Sequence, residues 1–198
     1  MSKTKAKIRA AATALFNAEG YAAVNTHHIA KRAGISPGNL YYHYPNKGEI
    51  LRDLFDEIAV YSAAAWRDRG PANPAVDFAR FLEFFFGSVE EHRFFFRDFP
   101  ELIRRDPELG RRWRGRHARL TEVMRDAVRR WTKAGILEPM EDVDAFIDTS
   151  WILCHFAASY LEAKGSKEDG MRLLLAFLSP YHTETGKASL RSYAKMGA

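Results

Sequence analysis

The stretch of sequence that decides the fold is NTHHIAKRAGISPGNLYYHY, residues 25–44. Asn25 is a good N-cap for a short helix that ends at Gly34, where glycine allows a tight turn. Ser36 followed by Pro37 is a strong start signal for a second helix, because serine caps free N–H groups and proline suits the first helical position. The pattern predicts two short helices joined by a turn, which is the arrangement of a helix-turn-helix.

The two sides of the second helix differ in character. Leu40 and Tyr44 lie four residues apart and are expected to face inward, with Ala30 allowing the first helix to cross closely. The opposite side presents Ser36, Asn39, Tyr42 and His43. Such side chains can reach phosphates or base edges when the N-terminal half of the helix enters the major groove. Spacing alone leaves the alternative of an exposed helical corner in any α-protein.

The distribution of charge favours the DNA-binding interpretation. The chain has 198 residues and a formal net charge of +5. Residues 1–48 carry a net charge of +6, from one acid, Glu19, and seven bases: Lys3, Lys5, Lys7, Arg9, Lys31, Arg32 and Lys47. The remaining residues sum to −1. The excess of positive charge in the first quarter indicates a module that faces a polyanion.

The rest of the chain reads as helices without a convincing strand. Apolar periodicity and proline and glycine signals predict helices at 3–19, 25–33, 37–44, 46–68, 75–92, 94–105, 107–133, 141–164, 168–181 and 185–196. We therefore predict an all-α protein of roughly nine or ten helices.

Several classes of protein are disfavoured by composition. The single Cys154 excludes an internal disulfide and a cysteine-based zinc site. No apolar run is long enough to span a membrane, and the basic N-terminus lacks the apolar region of a signal peptide, so a cytoplasmic protein is expected. The sequence shows no phosphate-cradling glycine loop and no HExxH pair, which argues against an enzyme and indicates no cofactor or metal.

The segment IAKRAGISPGNLYYHYPNKGEIL, residues 29–51, closely resembles the N-terminal domain of the TetR family of bacterial transcriptional regulators. The resemblance is specific over about residues 6–56. It implies an N-terminal three-helix helix-turn-helix DNA-binding domain at residues 1–50 (motif at about 25–44) and a C-terminal helical-bundle ligand-binding and dimerisation domain at residues 51–198. It also implies DNA contacts from Thr26, Ser36, Pro37, Gly38, Asn39, Tyr41, Tyr42 and His43, and a phosphate contact from Lys47. Two departures are Val24-Asn25, where the family usually has two hydroxyl residues, and Pro37, often lysine.

The resemblance further implies a homodimer on double-stranded DNA, released by a small effector. Aromatic residues make an apolar or aromatic effector more favourable than a sugar-like one. The expected pocket residues are Phe81, Phe85, Phe95, Trp113, His117 and Trp151. For any single phenylalanine, and for His117 and His155, a place in the core is the favoured interpretation and a pocket contact is the alternative.

Two further regions have a possible function in ligand entry and in dimerisation. The arginine-rich run contains Arg104, Arg105, Arg111, Arg112, Arg114, Arg116 and Arg119. By default it forms a solvated face, and the alternative is an entrance for an anionic acyl ligand. The last two long helices suit a dimer interface through Trp151, Ala157, Ala158, Leu161, Leu174, Leu175 and Leu178.

The leading hypothesis is a ligand-responsive repressor that binds a palindromic operator. A DNA-binding regulator without an effector and, much less favoured, a helical enzyme are the alternatives.

Overall fold

The computed structural model describes residues 2–67, 87–166 and 170–188. Its helices are α1 (Lys3–Glu19), α2 (Thr26–Ala33), α3 (Pro37–His43), α4 (Lys47–Arg67), α5 (Arg93–Arg97), α6 (Phe99–Arg105), α7 (Pro107–Lys133), α8 (Val143–Ala163) and α9 (Gly170–Leu178). A 3-10 turn, Ser179–Tyr181, follows α9, and residues 87–91 and 184–188 are also helical. These ranges contain no strand, and the predicted all-α class is confirmed. Of the predicted helices at 75–92 and 185–196, residues 75–86 and 189–196 lie outside the described residues.

The first three helices begin where local side chains cap them. Asn25 Oδ1 accepts a hydrogen bond from the backbone N–H of His28 at 3.0 Å, and Ser36 Oγ accepts one from the N–H of Asn39 at 3.2 Å. Gly34 ends α2 with φ +68°, a left-handed conformation that favours glycine. The predicted caps and turn are therefore confirmed, and they fix where α3 starts.

The described residues divide into two compact units. The first contains residues up to Tyr61 together with Val89–Trp113, and the second contains residues 62–67, 87–88 and the described chain from Arg114 onward. The predicted functional division at residue 50 remains a prediction. The packing units differ from it because α4 continues past residue 50 and the later segment Val89–Trp113 also belongs to the first unit.

The first unit has a core shared by its early helices. Its fully buried large side chains are Ile8, Phe16, Val24, Ile29, Leu40, Ile50, Leu51, Leu54, Phe94 and Leu109. Leu40 and Tyr44, predicted to face inward, are 0% and 3% exposed. This burial anchors α3 from one side only, which leaves its other side to solvent.

The second unit is built around an apolar cluster from α7, α8 and α9. Its buried members are Met124, Ala127, Val128, Trp131, Ile136, Leu137, Phe146, Ile147, Leu174 and Leu178. The chain after α9 returns to the end of α7, where the N–H of Thr183 donates to the carbonyl of Ile136 at 3.2 Å. A Cβ on Gly186 would lie 2.2 Å from that same carbonyl oxygen, so the close approach requires glycine.

Two details differ from the sequence-based expectation. The single helix predicted at 94–105 is two helices, α5 and α6, separated at Asp98. Pro100 lies in the first turn of α6 and explains the break, because its ring clashes with the backbone of the preceding turn and it has no N–H to donate.

The second correction concerns the face of α8. Four of the residues expected at a dimer interface are only 3–8% exposed and belong to the interior of the protomer: Ala157, Leu161, Leu174 and Leu178. Of that expected set, Leu175 is exposed. The exposed apolar residues of α8 are instead Ile152, Phe156 and Tyr160.

Candidate functional site

The outward side of α3 presents a polar and aromatic surface to solvent. Ser36, Pro37, Gly38 and Asn39 are exposed, as are Tyr41 and Tyr42, whereas His43 is half-buried. Tyr42 is 84% exposed, and its ring contacts His43 with a centroid distance of 5.1 Å. A tyrosine this exposed contributes little to packing, which makes it available for an external partner.

One hydrogen bond connects the start of α2 with α3. The hydroxyl oxygens of Thr26 and Tyr41 lie 2.9 Å apart. Both residues are predicted DNA contacts, and this bond fixes their relative position before any DNA is bound. The structure thus places Thr26 of α2 next to Tyr41 of α3.

Lys47, at the start of α4, is bound by the loop between α1 and α2. Its ammonium Nζ donates to the carbonyl oxygens of Tyr21 at 2.7 Å and Val24 at 2.5 Å, and it lies 4.2 Å from the centroid of the Tyr21 ring. Burial lowers the pKa of Lys47. The phosphate contact expected from the resemblance remains a prediction, and the same ammonium also holds this loop.

Arg9 is a second basic residue whose side chain is bound by other groups of the protein. It is 8% exposed, with Nη1 3.4 Å from Asp53 Oδ2 and Nε 3.1 Å from Glu57 Oε2. The hydroxyl of Tyr44 donates to the same Asp53 carboxylate, and burial together with this hydrogen bond raises the pKa of Tyr44. The local charge of +6 therefore overstates the positive charge that this domain can offer to a polyanion.

The segment around α5 is tied to the end of α1. Asn17 donates to the carbonyl of Glu91 at 2.8 Å and accepts from the N–H of Phe94 at 2.9 Å. Arg97 Nη2 donates to the carbonyl of Phe16 at 3.1 Å, and the Asp98 carboxylate accepts from the N–H of Tyr21 at 3.1 Å. The bond from Asp98 and those of Lys47 meet at the same short loop, residues 20–25, which leads directly into α2.

The expected pocket residues fall into separate groups. In the first unit, Phe95 is 3% exposed and both Phe95 and Trp113 pack on Phe99, with centroid distances of 5.8 and 5.0 Å. Phe95 is therefore a core residue in this structure. Phe81 and Phe85 lie outside the described residues.

His117 and Trp151 are in contact in the second unit, with ring centroids 5.2 Å apart. His155 is buried one turn further along α8, with Nδ1 2.9 Å from the carbonyl oxygen of Trp151 and its ring centroid 5.5 Å from that of Trp151. Burial lowers the pKa of His117 and lowers that of His155 to about 4. Burial therefore favours the neutral form of both rings at pH 7, while the Asp148 carboxylate acts on His117 and the Arg116 guanidinium acts on His155.

The arginine-rich run is largely engaged with acids on the protein surface. Arg104 and Arg105 pair with Glu101, Arg111 pairs with Glu108, and Arg112 bridges Glu108 at 2.9 Å and Asp56 at 2.5 Å. Arg114 and Arg119 are exposed. The paired members match the solvated face expected by default rather than an anion entrance.

Two family models match the chain. One, described as bacterial regulatory proteins of the tetR family, matches residues 8–54. The other, described as a bacterial transcriptional repressor, matches residues 65–190, more than half of the chain. The chain belongs to the TetR family of bacterial transcriptional regulators. Membership in a family of regulators also sets aside the helical-enzyme alternative.

Individual TetR-family relatives agree with this assignment. A TetR-family regulator from Marinobacter aquaeolei VT8 is 30% identical, with a TM-score of 0.84 and 98% of each chain covered. The regulator EthR of Mycolicibacterium smegmatis is 29% identical over 114 residues, which are 56% of this chain and 52% of EthR. The match thus spans about half the length of that curated relative. The solved SmeT–triclosan complex, 23% identical with a TM-score of 0.61 and 92% and 93% coverage, shares the fold.

For this TetR-family regulator, sequence reasoning identified the residues on the outward side of α3 but missed the acids that hold the surrounding helices and loop in place. No sequence motif marks the acids Asp53, Glu57 and Asp98, because each of them binds a partner that is far away in the sequence. One signal was present: Asp53 and Glu57 lie four residues apart, which places both carboxylates on one side of α4. Among the described helices, none has the length and apolar character needed to cross a membrane.

Proposed function

We propose that this chain is a ligand-responsive repressor that binds a palindromic DNA operator as a homodimer in the cytoplasm. The observation that carries the proposal is the outward side of α3, where Tyr42 is 84% exposed while Leu40, on the inward side, is fully buried. A helix anchored on one side and polar on the other is what a recognition helix needs to enter the major groove.

The proposed DNA contacts are Thr26, Ser36, Pro37, Gly38, Asn39, Tyr41, Tyr42, His43 and Lys47. Because α3 is short, one copy reads few base pairs, and two copies are needed for specificity. Twofold symmetry of a dimer then corresponds to an inverted repeat in the operator.

An exposed apolar stripe supports dimerisation. Ile152, Phe156 and Tyr160 follow one another at four-residue intervals on α8 and are 58%, 39% and 60% exposed. Leu175 on α9 is 38% exposed. Large apolar side chains exposed in a row on one helix mark a surface that binds another protein, and we assign a second copy of this chain as the partner.

Effector control would act through the group formed by His117, Trp151 and His155. An effector that binds one conformation better than another shifts the populations of the two, and operator affinity with them. A hundredfold loss of operator affinity requires a coupling free energy of about 2.7 kcal/mol. Thermodynamic reciprocity demands that the operator weaken effector binding by the same factor.

The experiment is a paired titration. An effector is first chosen by thermal shift from apolar and aromatic compounds, and its dissociation constant is then measured by calorimetry with and without operator DNA. We expect operator to weaken effector binding by about the factor by which effector weakens operator binding. Equal effector affinities in both titrations would leave the second candidate, a DNA-binding regulator without effector control.

A further inference from the structure

The outward side of α3 carries few cations for a surface that we assign to DNA. Helix α3 contains no lysine or arginine, and Pro37 occupies a position that is often lysine in the TetR family. The Lys47 ammonium already donates to two carbonyls, and Arg9 is paired with two acids of α4. Because basic side chains that neutralise phosphates supply much of the affinity for DNA, other cations of the first unit are needed.

Lysine side chains at the start of α1 lie beside the end of α3. The Lys5 ammonium lies 4.9 Å from the centroid of the Tyr44 ring, and Tyr44 directly follows α3. Tyr44 is itself 3% exposed, so its ring forms a fixed base for this cation–π contact. Lys3, in the same turn of α1 as Lys5, is exposed. The start of α1 therefore carries positive charge next to the helix that we assign to the major groove.

The position of α1 is fixed by burial and by its cap. Ile8, Ala12 and Phe16 are fully buried on one side of the helix. At its start, Ser2 Oγ accepts a hydrogen bond from the backbone N–H of Thr4 at 3.3 Å. The lysines of the first turn are therefore held in place before any DNA is bound.

The positive charge at this place is not compensated within the described part of the chain. Lys3, Lys5 and Lys7 follow one another at two-residue intervals, and the first turn of α1 contains no acid. None of the described acids forms an ion pair with any of the three. Like charges this close repel one another, and an anion outside the protein relieves that repulsion. The start of α1 is thus complementary in charge to a polyanion.

We propose that Lys3 and Lys5 contact phosphates of the operator strand that passes the C-terminal end of α3. The inference rests on the proposed function and adds to it a contact that supplies affinity without reading sequence. An ammonium has three N–H donors, and its contact with the face of the Tyr44 ring occupies no oxygen or nitrogen acceptor. Lys5 therefore keeps its donors for phosphate oxygens, in contrast to Lys47.

Base reading and phosphate binding are then divided between two helices. The outward side of α3, with Tyr42, distinguishes sequences, whereas the α1 lysines attract every duplex alike. Loss of the lysines should thus lower the affinity for all sequences by the same factor. The preference for one sequence over another should remain unchanged.

The test measures the salt dependence of DNA binding by fluorescence anisotropy. The probes are two labelled duplexes of about 30 base pairs, long enough for two half-sites: one that the wild-type protein enriches from a random library, and one drawn unselected from that library. The double variant Lys3→Gln with Lys5→Gln should flatten the dependence of log K on log salt by about two units per bound protomer on both probes. The ratio of the two affinities should stay as in wild type.

Two matched controls separate position from charge and from side-chain type. Lys133→Gln with Lys164→Gln removes two exposed lysines of the second unit and should leave the slope within about 0.5 unit of wild type. Lys3→Arg with Lys5→Arg keeps both cations and should keep the slope. Equal flattening in the control that lacks Lys133 and Lys164 would assign the effect to net charge and overturn the proposal.

A wild-type slope in the double variant Lys3→Gln with Lys5→Gln would also overturn it. If Tm fell at the same time, Lys5 would serve only to pack on Tyr44. The unselected duplex keeps this failure apart from a failure of the proposed function. A wild-type protein that enriches no sequence contradicts the repressor function, and the slope on the unselected duplex still decides whether these lysines bind phosphates.

Discussion

The ammonium nitrogen of Lys47 lies 2.7 Å from the carbonyl oxygen of Tyr21, so the first residue of α4 is bonded to the loop between α1 and α2. The N–H of the same Tyr21 donates to Asp98, which stands between α5 and α6. The backbone of Tyr21 is therefore hydrogen-bonded at both of its polar groups, through its carbonyl to Lys47 and through its N–H to Asp98. Since this loop leads into the cap of α2, its position governs where Thr26 is presented to DNA.

Lys47→Ala should destabilise the protein. It removes two charge-assisted hydrogen bonds and leaves the carbonyls of Tyr21 and Val24 without this donor, and we expect a loss of about 1–3 kcal/mol in the free energy of unfolding. Urea denaturation measures it. The control is Lys31→Ala on α2, an exposed lysine whose removal should change stability by less than about 0.5 kcal/mol. Equal stabilities of wild type and Lys47→Ala would contradict the role of this contact in the loop.

The same variant also tests the phosphate contact. If the Lys47 ammonium reaches DNA, Lys47→Ala should weaken binding to all sequences alike and flatten the dependence of log K on log salt by about one unit. Fluorescence anisotropy over a salt series checks this at a temperature where both proteins are folded. An unchanged slope would restrict Lys47 to its structural role.

Tyr42→Ala should separate DNA binding from stability. Because the side chain is 84% exposed, its loss should leave the free energy of unfolding within about 0.5 kcal/mol of wild type. Operator affinity should fall by about 1–3 kcal/mol if the ring reaches the bases. Tyr41→Phe serves as a comparison, because it removes only the hydroxyl that contacts Thr26. Full operator affinity of Tyr42→Ala would place the recognition surface elsewhere.

The helix-turn-helix could be predicted from sequence because its signals are local. Asn25, Gly34 and Ser36 each act within a few residues, and all three do in the structure what their residue types predict. The partners of Arg9 could not be predicted, since the acids that bind it are 44 and 48 positions away. A count of charged residues treats every basic side chain as free to bind DNA. It cannot show which of them pair with acids inside the protein.

Helix α8 shows a second limit of sequence reasoning. Its apolar residues surround most of the helix, so periodicity does not distinguish the inward side from a side that binds a partner. Ala157 and Leu161 turned out to be interior, and Ile152 and Tyr160 exposed. Only the packing of α7 and α9 decides between these faces, and that information is not local.

Stability should fall in mildly acidic solution because of His155. Burial disfavours the charged ring and lowers the pKa of His155 from the ordinary histidine value of 6.5 to about 4 in the folded protein. Between these values the unfolded chain binds a proton that the folded protein excludes, so the free energy of unfolding decreases as the pH falls from 6.5 to 4. The contribution is fully present above pH 6.5 and amounts to about 3 kcal/mol.

His155→Asn should remove this part of the pH dependence while keeping a donor for the carbonyl of Trp151. His117 and His182 have lowered pKa values for the same reason and will leave a smaller dependence of the same sign. The exposed His27, changed to Asn, is the control. A pH profile of His155→Asn identical to that of wild type would show that this ring binds its proton as readily in the folded protein as in the unfolded chain.

Dimerisation should depend on the exposed stripe of α8. Ile152→Glu and Tyr160→Glu each place a charge within it, and light scattering at micromolar concentration should report monomers with an unchanged helical signal in circular dichroism. Tyr42→Ala, which alters the outward side of α3 and leaves α8 unchanged, should remain a dimer. Wild-type protein that scatters as a monomer would remove the interface altogether.

The most direct test of the central claim is selection of DNA from a random duplex library by the wild-type protein, followed by sequencing. A dimer that presents two copies of α3 should enrich an inverted repeat whose half-site centres lie about 34 Å apart, or a whole number of helical turns. The enriched duplex should bind Tyr42→Ala more weakly than wild type. Enrichment of no sequence over the starting library would contradict the assignment of α3 as the recognition helix.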